Sequence, residues 1–376
     1  MTAFHPRCWT WARRLAAAIV LLPVLCAGCP FPPRDQNKNS GPPALDIDGN
    51  NTLATATALP LGSTGELVFR GAIDGPDDID IFQLGVLSPG DGIFVDVQRL
   101  TGDLDPTAAI FDSREYLVAF NDDRRPDSSD LNPLIDIVLP GDEGAYYLGI
   151  IAYPGERTTG QYQATVRITR AVGLPAPQGQ IVFLDWDGGH NIVIPNVGTY
   201  DLPPFSAVDV GLPASMTAAL KDRVQQIVEE RYRGFDLLVL NSDDDTEPTT
   251  PHSTVYFGDS SAQAFAISEQ IDTFNSDPSD KAIVYTRSYR SAFVSTPSFE
   301  EMAQALGNTV AHEVGHLLGL VHTADCDDLM DTTCANERIL YPQQFSTAPL
   351  DSSVWPFGYQ SAVEILSWVL GLIGLS

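Results

Sequence analysis

The sequence has little positive charge for its length. It contains 21 lysines and arginines against 49 aspartates and glutamates, a formal charge of −28 over 376 residues. Residues 1–28 contain three arginines and no acidic residue, so the rest of the chain has a formal charge of 18 − 49 = −31. This excess of acid argues against nucleic acid or an anionic membrane surface as a partner. We expect most of the acidic residues to form a solvated surface.

Cysteine is also scarce, and it is confined to the two ends of the sequence, at positions 8, 26, 29, 326 and 334. Cys326 and Cys334 stand on either side of Met330. In an oxidising compartment this pair predicts a disulfide. Two buried free thiols are the alternative.

Apolar runs long enough to span a membrane are lacking. The run at residues 15–25 follows three arginines and leads to Cys26-Ala27-Gly28-Cys29. It resembles a bacterial secretion signal, residues 1–28, that ends in a lipoprotein box, which implies cleavage before Cys29 and lipidation of that cysteine. Leucine is usual where Cys26 stands, so an ordinary signal peptide cleaved nearby is the alternative. Both interpretations predict export. In the lipoprotein interpretation, the lipid on Cys29 would anchor the protein to a membrane.

Histidine is scarce too, but three of the six histidines lie within residues 312–322. Ser298 and Glu301 have the spacing of a helix capping box, so we expect a helix to begin there and continue into this segment. His312 and His316, four residues apart, then leave the same helix face one turn from each other. Both can reach one metal ion at about 2.0–2.1 Å.

Two further residues complete the pattern. Glu313 is rotated by about 100° from His312, so it flanks the metal, where a general base would lie. His322 lies six residues beyond His316 and could not share the metal if the helix continued. Gly319 accepts a left-handed conformation at little cost, so the helix can end there and the chain can fold back. Three neutral imidazoles would leave a fourth metal position open, as in catalytic zinc sites.

Residues 312–322, HEVGHLLGLVH, resemble the HExxHxxGxxH zinc-binding consensus of the metzincin metallopeptidases. Met330 fits the methionine turn that this family has beneath the metal. The resemblance implies hydrolysis of peptide bonds by a metal-activated water, with Glu313 as general base and then general acid. Two features of relatives are missing: a cysteine between Cys29 and Cys326 for a thiolate latency switch, and a tyrosine ligand just after Met330.

The length allows two domains with separate cores. Residues 29–45 are polar and proline-rich, and they predict a tether. Residues 46–172 predict an all-β domain, because short strand-like runs recur between turn signals. These runs are 67–69, 79–84, 93–97, 108–111, 116–120, 134–139, 146–151 and 162–168. Eight such strands predict a β-sandwich.

The all-β region resembles the bacterial pre-peptidase C-terminal domain, a β-sandwich accessory module of secreted peptidases. The matching stretches are 50–56, 78–82, 104–106, 111–112, 121–123 and 144–148. Here the module precedes the catalytic part. Some relatives bind calcium, which implies Asp46, Asp48, Asp78 and Asp80 as oxygen ligands. Turn-forming, solvated aspartates are the alternative.

Residues 178–346 predict an α+β domain. We expect strands at 181–186, 235–240, 253–257 and 282–285 and a helix at 216–233, all before the active-site helix. This order resembles the upper half of a zincin-like (metzincin) catalytic domain. Residues 347–376 predict a C-terminal segment with an apolar helix packed against a domain. His190 and His252 lie in loop-like segments, and we predict surface or structural roles for them, with a second metal site as the alternative.

Taken together, these features predict an exported zinc metalloendopeptidase that acts on a protein or peptide substrate. The main alternative is a surface-anchored binding or adhesion protein with a structural or degenerate zinc site. The intact Glu313 argues against it, because a structural site needs no carboxylate beside the metal. A zinc hydrolase of a non-peptide amide is a third hypothesis. The substrate itself is not visible in the sequence.

Overall fold

The computed structural model describes residues 42–45, 49–124 and 130–374. The predicted signal peptide, Cys29, most of the predicted tether, and Asp46 and Asp48 lie outside these ranges. In the part of the chain that is described, no helix combines the length and the apolarity needed to cross a membrane.

The N-terminal part of the described chain is built from strands alone, apart from a short 3-10 turn. They are β1 (Thr57–Ala58), β2 (Glu66–Ile73), β3 (Ile79–Leu87), β4 (Gly92–Arg99), β5 (Pro106–Asp112), β6 (Leu117–Asn121), β7 (Leu134–Val138), β8 (Gly144–Ala152) and β9 (Gly160–Thr169). Their order is β1-β3-β8-β5-β6 in one sheet and β2-β9-β4-β7 in the other. The eight predicted runs coincide with β2–β9, whereas the two-residue β1 was not predicted.

The two sheets pack face to face as a β-sandwich because alternate residues of their strands are apolar. Strand β9 alternates buried with more exposed residues along nearly its whole length. Phe69 of β2 and Phe82 of β3 join the sheets across the core, with ring centroids 4.7 Å apart and no exposed surface. A fully buried phenylalanine of this kind contributes about 3–5 kcal/mol.

The C-terminal part combines strands and helices. The strands are β10 (Gln180–Asp185), β11 (Gly189–Ile194), β12 (Gly198–Leu202), β13 (Leu237–Asn241), β14 (Ser253–Phe257), β15 (Ala266–Ser268), β16 (Lys281–Val284), β17 (Thr347–Pro349) and β18 (Tyr359–Ser361). The helices are α1 (Thr217–Arg231), α2 (Phe299–Leu317) and α3 (Ala362–Val369). Five strands form one sheet in the order β13-β10-β14-β16-β15, with β11–β12 and β17–β18 as separate hairpin pairs. The pattern of the sequence predicts neither the two hairpin pairs nor the edge strand β15.

Strand β15 is the antiparallel edge of an otherwise parallel sheet. On the side facing β16, the carbonyl of Phe265 accepts from the N–H of Tyr285, and the N–H of Glu269 donates to the carbonyl of Lys281. Because hydrogen-bonding direction alternates along an antiparallel strand, the backbone groups of Ala266 and Ser268 point toward the open edge. Three residues are too few for a periodic pattern, which explains why the strand escaped prediction.

Helix α2 is fixed against α1 by close backbone contact. A Cβ on Gly307 of α2 would lie 2.5 Å from Cγ2 of Ile227 on α1, so only glycine permits this approach. Both helices bury their apolar faces in the core of the five-stranded sheet. The C-terminal end of α2 is thereby held in a defined position.

The sandwich is joined to the C-terminal part by a shared core. Trp355 has no exposed surface and packs against Phe111 of β5 at 5.5 Å between ring centroids. Its ring also covers Gly149 of β8, where a Cβ would lie 2.5 Å from the indole. Helix α3 adds an ion pair, since Glu364 contacts Arg114 of the sandwich at 3.0 Å. The two parts therefore form one continuous structure.

Candidate metal centre and its cleft

Helix α2 presents three of the predicted site residues. It begins at Phe299, behind a capping box in which Ser298 accepts from the backbone N–H of Glu301 and the Glu301 carboxylate accepts from that of Ser298. His312, Glu313 and His316 lie in its last two turns, where buried apolar neighbours hold the helix against the core. The four-residue spacing places both imidazoles on one face.

The chain reverses at Gly319 through two hydrogen bonds of the Schellman type. The N–H of Gly319 donates to the carbonyl of His316 at 2.9 Å, and that of Leu320 donates to Gly315 at 2.8 Å. Gly319 has φ +91°, a left-handed conformation, and a Cβ there would lie 3.0 Å from the backbone of Asp272 and Thr273. Glycine is required here for both reasons, and the reversal carries His322 back toward the helix.

The three imidazoles converge. Nε2 of His316 lies 3.1 Å from Nε2 of His312 and 3.0 Å from Nε2 of His322. Tetrahedral zinc with nitrogen ligands at 2.0–2.1 Å requires ligand separations of about 3.3 Å, close to these values. The Nδ1 atoms of His312 and His316 donate to the carbonyls of Leu329 and Leu320, at 2.9 and 2.8 Å. This sets the tautomer in which Nε2 carries the lone pair for a metal.

The electrostatics of the three histidines suit metal binding. Burial lowers the pKa of His312 and of His316, and the neighbouring imidazoles lower that of His316 further. Burial and then His312 lower the pKa of His322 to about 3. The rings are therefore neutral at neutral pH, the form that ligates zinc.

Glu313 lies beside the histidines in the same cavity as Tyr285. It is 6% exposed, and burial raises the pKa of its carboxyl group to about 8. A divalent cation at the three imidazoles would favour the ionised form. The carboxylate is therefore placed to exchange a proton with a group in the cleft.

Met330 lies directly beneath the helix that carries the histidines. Its side chain has no exposed surface, and its Sδ would be 2.8 Å from a Cβ on Gly315. Gly315 therefore leaves the space that Met330 fills. Cys326 and Cys334 are joined by a disulfide with a Cα–Cα distance of 5.6 Å, which closes a loop around Met330.

Asp328 was not predicted to contribute to the site, yet it organises the methionine turn. Its carboxylate, in a residue 1% exposed, accepts from the hydroxyls of Thr323 and Ser346 at 2.8 and 2.6 Å. It also accepts from the backbone N–H groups of Met330 and Ser346 at 2.9 and 2.8 Å. An aspartate whose side chain accepts from the backbone N–H two residues later forms an Asx turn. Asp328 and Met330 have that spacing, so this signal was present in the sequence.

Replacing Asp328 with alanine should destabilise the protein by about 3 kcal/mol or more, because buried donors would lose a charged partner. The Asp327→Ala variant is a matched control, since its side chain is 86% exposed and pairs with Arg338 at the surface. It should lose less than about 1 kcal/mol. The midpoints of thermal and urea unfolding measure both, and equal losses in the two variants would refute the role given to Asp328.

Gln360 is a second unpredicted residue, and it supports the segment that carries His322. Its side chain is fully buried. It accepts from the N–H of Val321 at 2.7 Å and donates to the carbonyl of the same residue at 2.9 Å. The residue is far from the motif in sequence, so no local pattern could have revealed it.

Two cavities meet at His316 and His322. One, of about 590 Å³, is lined by 260–268, by Tyr285 and by residues 331–339, and reaches Glu313 and all three rings. The other, of about 340 Å³, lies between the sandwich and the C-terminal part and reaches His316 and His322. We call these the main cavity and the junction cavity. Both are also lined by Ser268 of β15, so the edge strand runs along a cleft that continues on both sides of the metal centre.

Other predicted residues do not join this centre. His190 is 85% exposed and lies in β11 rather than in a loop, 3.4 Å from Asp201. His252 contacts the carbonyl of Thr250 at 2.8 Å. In the sandwich, Asp78 accepts from the N–H of Asp74 at 2.7 Å and Asp80 from the hydroxyl of Tyr162 at 2.6 Å. Calcium binding there stays a prediction.

No protein-family model matches the chain, and no curated protein matches it in sequence. Among solved structures, archaemetzincin from Methanopyrus kandleri is 14% identical with TM-score 0.28, covering 50% of this chain and 94% of that one. Metalloproteinase-II from Bacteroides fragilis is 14% identical with TM-score 0.28, covering 61% and 64%. The pre-peptidase C-terminal domain of collagenase from Bacillus anthracis is 17% identical with TM-score 0.22, covering 34% and 99%. Such TM-scores assign the chain to no family.

Proposed function

We propose that the chain is an exported zinc-dependent endopeptidase. The observation that carries the proposal is the convergence of three neutral imidazoles, with Nε2 separations of 3.0 and 3.1 Å, next to the buried carboxylate of Glu313. A structural zinc site has no use for a carboxylate held beside the metal in an open cleft. Export is proposed from the arginine-rich and apolar N-terminal segment, with lipidation of Cys29 as part of the same proposal.

His312, His316 and His322 would hold the zinc ion, which would act as a Lewis acid toward the scissile carbonyl. Glu313 would take a proton from the attacking water as the C–O bond forms. It would return that proton to the amine nitrogen as the C–N bond breaks.

Internal cleavage of a chain, rather than removal of a terminal residue, fits the shape of the cleft. The main and junction cavities lie on different sides of the histidines, so a substrate could extend in both directions. The outward backbone groups of β15 offer hydrogen bonds to an extended peptide in that cleft.

Digestion of an unbiased peptide library by the purified protein tests the proposal. We expect cleavage between internal residues that a chelator abolishes and added zinc restores. Cleavage that survives complete removal of metal would contradict the proposed function. No cleavage with zinc bound would favour the alternative of a surface binding protein.

A further inference from the structure

The junction cavity has walls from two parts of the chain. Its sandwich wall comes from the end of β6 and the residues after it, 120–124, and from β7. Its opposite wall consists of the end of β15 and the residues after it, 268–273, and the tip of the β11–β12 hairpin, residues 195–197. His316 and His322 lie at its inner end. The cavity is therefore a direct extension of the metal centre, and half of it belongs to the sandwich.

The sandwich wall is held firmly in place. The hydroxyl of Thr273 donates to the carbonyl of Phe120 at 3.0 Å, which ties the two walls together at the edge of the cavity. Trp355 and its contacts with Phe111 and Gly149 fix the same sheet against the C-terminal part. A wall attached by a buried core has the constant position that substrate selection requires.

The cavity is strongly acidic. Its described lining includes one basic residue, Arg124, which pairs with Asp96 and with Asp130. The acidic residues of the lining are Asp122, Asp123, Asp136, Glu269 and Asp272. The pKa of Tyr153, in the same lining, lies above its ordinary value because of burial and then the charges of Asp122, Asp105 and Asp123. The acidic lining gives the cavity a negative potential that attracts cations, although burial raises the pKa of Asp122 and of Asp272 and so reduces their share of the charge.

Several of these acids already have local partners, and Asp122 accepts from the N–H of Asp123 at 2.9 Å. Glu269 pairs with Lys281 at 3.0 Å, and Asp272 accepts from the N–H of Asp277 at 2.8 Å. Asp136, on the edge strand β7, is exposed to the cavity and stands on the sandwich wall. A ligand that enters beside the histidines would meet this carboxylate and Asp122.

We infer that the junction cavity is a substrate subsite that receives a lysine or arginine side chain of the peptide, with the sandwich as its selective wall. This inference depends on the proposed peptidase function. It gives the sandwich a part in substrate choice, beyond that of an accessory module. The charge of the wall is complementary to a cationic side chain and repels an acidic one.

The subsite can be tested with pairs of peptides that differ only in having lysine or glutamate at one position. That position is moved by one residue along the peptide from one pair to the next. At one position on one side of the cleaved bond, the wild-type protein should favour lysine by about tenfold in kcat/KM. That ratio should fall as salt is raised, because the interaction is between partly exposed charges. The Asp136→Lys variant should reduce the ratio to near one or invert it.

The matched control is Asp77→Lys, which makes the same change of charge on the turn between β2 and β3. Asp77 is exposed and is not part of either cavity lining. This variant should keep the wild-type preference. Cleavage with no preference at any position, or an equal response of the two variants, would overturn the subsite while leaving the peptidase intact. Absence of all cleavage would instead overturn the proposed function.

Discussion

The Glu313→Gln variant should lose activity by about 10³-fold or more, because the amide cannot accept a proton from the attacking water. It should still bind zinc, since the three imidazoles and the carbonyls that orient His312 and His316 are untouched. Glutamine has nearly the same shape as glutamate, so the buried site needs no repacking. Hydrolysis of a peptide found in the library digest measures the loss, and metal analysis of the same sample measures zinc.

This variant separates two roles of Glu313. If it kept wild-type activity, the carboxylate would not be the base, and the mechanism would be wrong even with zinc in place. If it lost zinc along with activity, Glu313 would act in holding the metal instead. The expected combination, a large loss of kcat with full zinc content, belongs to the proton-transfer role alone.

His322→Ala should abolish the response of the protein to zinc. Losing one of three protein ligands should weaken binding by about 10³-fold or more. At a zinc concentration of about 1,000 times the wild-type dissociation constant, the wild-type protein gains about 4 kcal/mol of stability and the variant should gain almost none. The shift of the unfolding midpoint on adding zinc reports both values.

His190→Ala is the matched control for that experiment, because His190 is 85% exposed and lies away from the centre. It should respond to zinc as the wild type does. A His322→Ala variant that still gains the full stability from zinc would show that the third imidazole is not a ligand. The turn at Gly319, which brings His322 to the other two rings, would then have no role in metal binding.

The parts of the site that could be predicted from the sequence are those that depend on local geometry. The spacing of His312 and His316 on a helix, the capping box at Ser298 and the left-handed glycine at Gly319 are all properties of a few consecutive residues. The structure brings His322 to the other two rings through that glycine. The sandwich strands were visible for the same reason, because alternation along one strand is a local pattern.

The remaining parts depend on contacts between distant segments. The short-range bond of Asp328 to Met330 is a local pattern, but the bonds of Asp328 to Ser346 and of Gln360 to Val321 join distant residues and leave no trace in the order of residues. Strand β15 is too short to show a period. The sandwich appeared in the sequence as a separate module, whereas Trp355 places it against the C-terminal part, with β6 and β7 along the cleft.

X-ray absorption at the zinc edge of the purified protein tests whether three imidazole nitrogens bind one zinc ion. Cys326, Asp331 and Cys334 form a second cluster that could attract zinc if its disulfide were reduced. We predict one zinc per chain, with a nitrogen and oxygen shell at about 2.0–2.1 Å and the multiple-scattering signature of three imidazoles. Sulfur neighbours at about 2.3 Å, or a protein that retains no zinc, would contradict the account.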